Sequence, residues 1–484
     1  MLSLARLCWL VVAVACGTHN SSVTPDTGVG GPTGGTVDGH DWPRFGVDEA
    51  QSGVSDAPTG ITAAALPTMR RQQVTIDGTV DASAIYLHNV QVNGSPHDVF
   101  FVTTTYGKTL AIDASDGTVL WRFTPTNYAQ WAGTARITNT TAVADPDRDY
   151  VYAASPDGHI QKLAVADGRV VWSTAITLLP TREKIASSLN YSRGHVIAVT
   201  GGYVGDAPPY QGHVAVLNAA TGQLLNVWNS LCSNRSGLLT PSSCAESGSA
   251  IWGRAGAIVA PSTGNILVAT GNGRWDGATN WGDAVLELDP NATQLLANYT
   301  PTNTDVLEAG DIDVGSTSPA LLDAGTVAQS GKDGNIRVID LALSSGSTPH
   351  RGGDRQTVRT PSGGAVFSAL AVEHGAQGVW MYAADGGGTA AWTYQDGRLT
   401  SMWSNTSRGT SPVLAEGMLY VYDPSGPSGT LRVYEAHTGR LLASLACGTG
   451  HWNSPIVADG RIALPQGNAN DHSTTGVLNI WRLP

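Results

Sequence analysis

The chain has 484 residues, 41% of them hydrophobic and only 14% charged, with a formal net charge of -12. That length permits a sizeable core and more than one domain. The acidic balance, with no Lys/Arg cluster longer than Arg70-Arg71, excludes the basic footprint that nucleic acid requires. Fifty-eight glycines and the lack of long 3.6-residue periodicity after the first few residues favour strands and turns, so an all-β body is expected.

In chain order, Arg6 and the apolar run from Leu7 to Val14 read as an export signal, too short to span a bilayer. Ala13-Val14-Ala15 before Cys16 admits two readings: signal cleavage after Ala15, or a bacterial lipobox in which Cys16 becomes the acylated first residue. Residues 1-16 are thus a signal, and the Gly-, Thr-, Ser- and Pro-rich residues 17-40 read as a flexible tether of the kind a lipid-anchored domain uses. The expected location is extracytoplasmic, either lipid-anchored to the cell envelope or secreted or periplasmic. Asp41-Trp42-Pro43-Arg44-Phe45-Gly46 then opens a single domain over residues 41-484.

The unit of that domain is Thr109 to Phe123, TLAIDASDGTVLWRF: an alternating strand, an Asp116-Gly117 turn and a second strand carrying Trp121. One hairpin cannot bury its apolar face alone, so copies must stack. Copies begin at His159, His213, Asp283, Asn335, Thr389, Thr430 and Gly476, about 50 residues apart for the most part, a spacing typical of propellers and arrays. The last copy stops after its third strand, whereas Arg70 to Ile76 (RRQQVTI) is a strand without a hairpin partner. If the two pair, the ends of the chain share one sheet and the ring closes. The expectation is an eight-bladed β-propeller of four-stranded antiparallel blades, closed by an N-terminal strand in the last blade. Seven blades would result if the weak fifth or sixth copy merged with a neighbour.

Among the cysteines, Cys232 and Cys244 bracket a short loop and are the natural disulfide pair in an oxidising compartment, leaving Cys447 as a small buried residue. There is no HExxH, no GxSxG elbow and no phosphate-binding glycine loop. His451-Trp452 and His472 read as isolated polar surface or turn residues.

The phrases LAIDASDGTVLW, VLNAATG and VYEAHTG resemble the repeat of quinoprotein-like propellers, the family of pyrroloquinoline quinone (PQQ) alcohol dehydrogenases and of BamB-like envelope lipoproteins. The long fourth unit, from SGSAIWGRAG through VATGNGRWDG to DAVLELDP, is similar to the blade that holds the quinone in those enzymes. By that resemblance Trp252 would stack on the quinone, Asn272 would ligate calcium, Asp313 would take the alcohol proton and Lys332 would contact the quinone oxygens. The chain departs from the enzymes in having no Cys-Cys pair, and Asp206 is the only acid near the position of their second metal carboxylate. Each residue also has a purely structural role open to it: Trp252 as a core indole, Asn272 as a turn residue, Asp311 and Asp313 as caps, Lys332 as a solvated cation. The resemblance therefore implies a monomeric binding or scaffold module of the bacterial cell envelope, holding an envelope protein, a glycan or a small molecule on one face. Its alternative is a PQQ- and calcium-dependent alcohol or sugar dehydrogenase.

Overall fold

The computed structural model describes residues 39-203 and 207-484. The export signal, most of the tether, Cys16 and Asp206 lie outside the described residues.

Eight antiparallel sheets follow one another along the chain. Their innermost strands are, from blade 1 to blade 8, Ile85–Val92, Val143–Ala144, Asn190–Ser192, Ile258–Val259, Ala320–Asp323, Ala371–Gly375, Val413–Ala415 and Ile456–Ala458. Each blade runs outward as a meander, blade 1 through Ser95–Thr103 and Thr109–Asp113 to Val119–Phe123. Because blades pack face against face, the middle strands are apolar on both sides, and all five residues of Thr109–Asp113 are buried. The weak fifth and sixth repeats each form a complete four-stranded blade, so the count is eight and not seven.

The ring closes as the sequence implied. Arg70–Ile76 pairs antiparallel with Gly476–Arg482 along its whole length, from Arg70 opposite Arg482 to Ile76 opposite Gly476. The first long strand of the domain is therefore the outer strand of blade 8, and no blade is left with an unfinished edge.

A repeated contact locks some neighbours together. The indole of Trp121, on the outer strand of blade 1, donates to the Val165 carbonyl at the turn of blade 2, 2.8 Å away. Trp172 reaches Ala219 of blade 3 in the same way (3.1 Å), and Trp403 reaches Ala436 of blade 7 (2.7 Å). The receiving turn carries glycine because the indole lies on its Cα: at Gly168 (φ +72°) a Cβ would sit 2.5 Å from Trp121. Between blades 4 and 5 an amide takes over, Asn298 donating to the Gly346 carbonyl (2.8 Å).

The segment ahead of the closing strand runs past the innermost strands inside the ring. Trp42 bridges Tyr86 of blade 1, Pro43 accepts from Ala144 of blade 2, and Arg44 donates to Asn190 of blade 3. Glu49 accepts from Val259 of blade 4, Ser52 from Val372 of blade 6 and Thr59 from Gly460 of blade 8, while Val54–Ser55 pairs parallel with Leu414 and Ala415 of blade 7. One short stretch thus touches seven blades. A cavity of only about 10 Å³ remains between Trp42, Phe45, Gln51 and Ser454.

Candidate functional site

In a meander, the connections from outer to inner strand and from second to third strand emerge at one end of every blade. Trp252, Asp313, Phe367, Trp452 and Asp81 lie on the former kind of connection, and Asn272, Lys332 and Asp385 on the latter. Topology alone therefore gathers these residues on one face.

Three of the four residues singled out by resemblance meet there. The Lys332 ammonium lies 2.7 Å from Oδ1 of Asp313, 2.6 Å from Oδ1 of Asp311 and 5.2 Å from the centre of the Trp252 ring. Burial would pull the Lys332 ammonium down, but Asp313 and Asp311 outweigh it and hold it above the usual lysine range. Gly271 packs into the same corner, where a Cβ would stand 3.1 Å from Trp252 Nε1 and 3.2 Å from Asp313 Oδ2. Asn272 turns elsewhere: its amide donates to the Leu307 carbonyl (3.1 Å) in the short helix Thr304–Gly310, while Glu308 of that helix accepts from the Gly273 amide.

A residue that the sequence marked only as the start of a repeat completes the corner. Asp283 is fully buried, its Oδ1 accepts from the Val314 amide (3.3 Å), and its Oδ2 has no hydrogen-bond partner among the described residues. Burial first, and the nearby Asp313 second, push its carboxyl up to about 8.

An aromatic run leads from this corner across the face. The Trp252 ring meets Phe367 at 6.0 Å, Phe367 meets Trp452 at 5.3 Å, and Trp452 meets His451 at 4.2 Å. His451 and Trp452 are not the isolated turn residues the sequence suggested. Buried Asp81 accepts from His451 Nδ1 (2.8 Å), from the Trp452 amide (2.7 Å) and from the Asn139 side chain (3.0 Å). Burial opposes its charge, but these contacts, His451 foremost, hold its carboxyl below the ordinary range. Beside the run opens a cavity of about 290 Å³ lined by Phe367, Arg408, Thr410, His451 and Trp452. Arg408 is exposed and makes no ion pair or hydrogen bond among the described residues. Asp385, also at the rim, is committed to the Ser362, Gly387 and Gly388 amides (2.7 to 2.8 Å).

The described residues do not fit a quinone and its calcium. The one cation of the corner, Lys332, is already committed to Asp311 and Asp313, and Asn272 is turned away to the Leu307 carbonyl, so neither the quinone's carboxylates nor a calcium ion meets a complete set of partners. No three His, Cys, Asp or Glu side chains converge there at ligand distance among the described residues. We derive no step through that cofactor.

Elsewhere, the structure joins Cys232 to Cys244 across a separation of 12 residues. Cys447 is buried, and burial pushes its thiol up to about 12. No helix among the described residues is long and apolar enough to cross a membrane.

Comparison with known proteins agrees with this architecture. Residues 79–236 match the family model described as outer membrane protein assembly factor BamB. Quinohemoprotein alcohol dehydrogenase from Comamonas testosteroni is similar in fold, with a TM-score of 0.66 at 16% identity over 93% of this chain and 81% of that one. A europium-containing methanol dehydrogenase gives 0.63 at 14% identity over 92% of this chain and 98% of that one. BamB from Moraxella catarrhalis gives 0.53 at 14% identity over 85% of this chain and 98% of that one. None of the curated proteins matches the sequence. The chain thus shares the propeller fold of these proteins, and about a third of it matches the BamB family model.

Proposed function

We propose that this propeller is an extracytoplasmic binding module of the bacterial cell envelope, tethered or secreted through its N-terminal segment, and that it holds its ligand on the loop face. The observation that carries the reading is the aromatic-lined cavity of Phe367, His451 and Trp452 with an uncommitted cation, Arg408, at its rim. An aromatic platform receives the flat apolar side of a sugar or a peptide ring, and a free guanidinium selects for a neighbouring carboxylate or phosphate. A glycan or peptide end carrying negative charge is the ligand class this chemistry recognises. The match to a BamB model supports an envelope partner protein as the alternative occupant.

A second reading, a PQQ- and calcium-dependent alcohol or sugar dehydrogenase with Asp313 as its base, is favoured by one observation, the meeting of Trp252, Asp313 and Lys332. It ranks second because Lys332 is already committed to two carboxylates and Asn272 is turned to the helix.

Arrays of acidic and neutral oligosaccharides and peptides, probed with the parent, Trp452→Ala and Arg408→Glu, test the first reading. It expects acidic ligands bound by the parent and weakened at least about tenfold in both variants, a loss equivalent to about 1.4 kcal/mol. A signal that neither variant changes, or no signal, would count against it.

A further inference from the structure

A second cluster lies at the seam where blade 8 meets blade 1. His88 and Asp98 come from the first two strands of blade 1, and Asp459 from the turn after the first strand of blade 8. One ligating atom from each falls within 4.8 Å of the others. His88 Nδ1 is 3.1 Å from Asp98 Oδ1 and 2.9 Å from Asp459 Oδ2. That nitrogen is buried and makes no hydrogen bond among the described residues, although it stands at ion-pair distance from both oxygens.

The surroundings hold the three groups in this posture. The ladder between Ile85–Val92 and Ser95–Thr103 breaks between Leu87 and Val90, and Asn89 adopts φ 47°, a bulge that aims His88 at the seam. The His88 amide is fixed by Asp41 (2.8 Å). Asp98 gives its other oxygen, Oδ2, to Arg461 (3.1 Å), and Asp459 is oriented by the Tyr86 hydroxyl (2.7 Å). His40 stands over His88, ring centres 4.9 Å apart, and reaches Oδ1 of Asp459 at 2.5 Å.

We propose that His88, Asp98 and Asp459 bind a divalent transition-metal ion of the zinc class, with an open position facing His40. Bonds of about 2.0 Å at tetrahedral angles separate neighbouring ligand atoms by about 3.3 Å, close to the 3.1 and 2.9 Å that already part His88 Nδ1 from the two carboxylates. Imidazole with carboxylates selects zinc-class ions over calcium or magnesium, which favour all-oxygen sets. Arg461 and Tyr86 supply the outer contacts that orient metal-bound carboxylates. The ion would tie the first blade to the last at the closing seam, so its binding would report on the closed ring. The competing arrangement is a protonated His88 held as a plain ion pair between the two carboxylates.

The test uses untagged full-length protein stripped with a chelator and then titrated with zinc, with magnesium and calcium as controls. The proposal expects one zinc per chain by elemental analysis and a melting temperature raised by about 3 °C at a hundredfold excess over the dissociation constant. It also expects at least a hundredfold weaker binding in Asp459→Asn and His88→Gln, and a zinc-edge anomalous peak between these side chains in crystals of the parent. The last measurement stands even if a variant fails to fold. No zinc bound at micromolar concentration, zinc bound undiminished in both variants, or an anomalous peak elsewhere would overturn it.

Discussion

Lys332 and Asp313 form a nearly buried ion pair, 2.7 Å between Nζ and Oδ1, with the ammonium over the Trp252 indole. Asp311, on the other side of the same ammonium, is largely exposed. The two contacts of the ammonium should therefore carry unequal shares of the stability. Lys332→Met strands a buried charge and should destabilise by about 3 kcal/mol, whereas Asp311→Asn should cost less than about 1 kcal/mol. Equilibrium unfolding in urea distinguishes them, and equal effects would show that the pair is solvated after all.

Asp283 makes stability depend on pH with a definite sign. Its carboxyl is held near 8 in the folded protein and falls to the ordinary range on unfolding. Between pH 4 and 8 the folded state keeps a proton that the unfolded state releases, so stability declines as pH rises through that window. Asp283→Asn removes the titration and offers Asp313 a donor. Its melting temperature relative to the parent, measured in chelator, should rise from pH 4 to pH 8 and level off above. A gap that stays constant with pH would mean that Asp283 ionises normally.

The contact of Trp121 with Gly168 should behave as a unit. Gly168→Ala forces a Cβ against the indole at a positive φ and should cost about 2 to 3 kcal/mol, and Trp121→Ala about 3 kcal/mol or more. In the double variant the alanine no longer meets an indole, so the losses should fall short of additive by at least about 1 kcal/mol. Strict additivity would show that the blades are held by burial alone.

The closing strand contributes a whole edge to blade 8. Removing residues 41-80 also removes the stretch that runs past the innermost strands, and should abolish cooperative thermal unfolding. A truncated protein that melts as sharply and as high as the parent would refute a structural role for closure.

Much of this was legible because blades are local. The hairpin around Asp116-Gly117 announces its own turn, and the strand Arg70–Ile76 was visible as an orphan because the last repeat lacked an outer strand. The stretch through Trp42 and Glu49 was not legible, because it bonds to successive blades one residue at a time and so carries no period. The site was half legible. Trp252, Asp313 and Lys332 were reached by resemblance, but Phe367 and Trp452 come together only because outer-to-inner connections of distant blades share one face. Aligning the residues just before each inner strand would have grouped them. Asp283 gave no signal, since its burial depends on Gly271 and the Val314 segment closing over it.

Whether the corner at Trp252 is a cofactor site or a compensated structural cluster is decided most directly by titrating the purified full-length protein with PQQ, with and without calcium, in a calorimeter. A binding module with its charges already paired predicts no saturable uptake. One quinone bound per chain, together with alcohol-dependent dye reduction that Asp313→Ala abolishes, would contradict it.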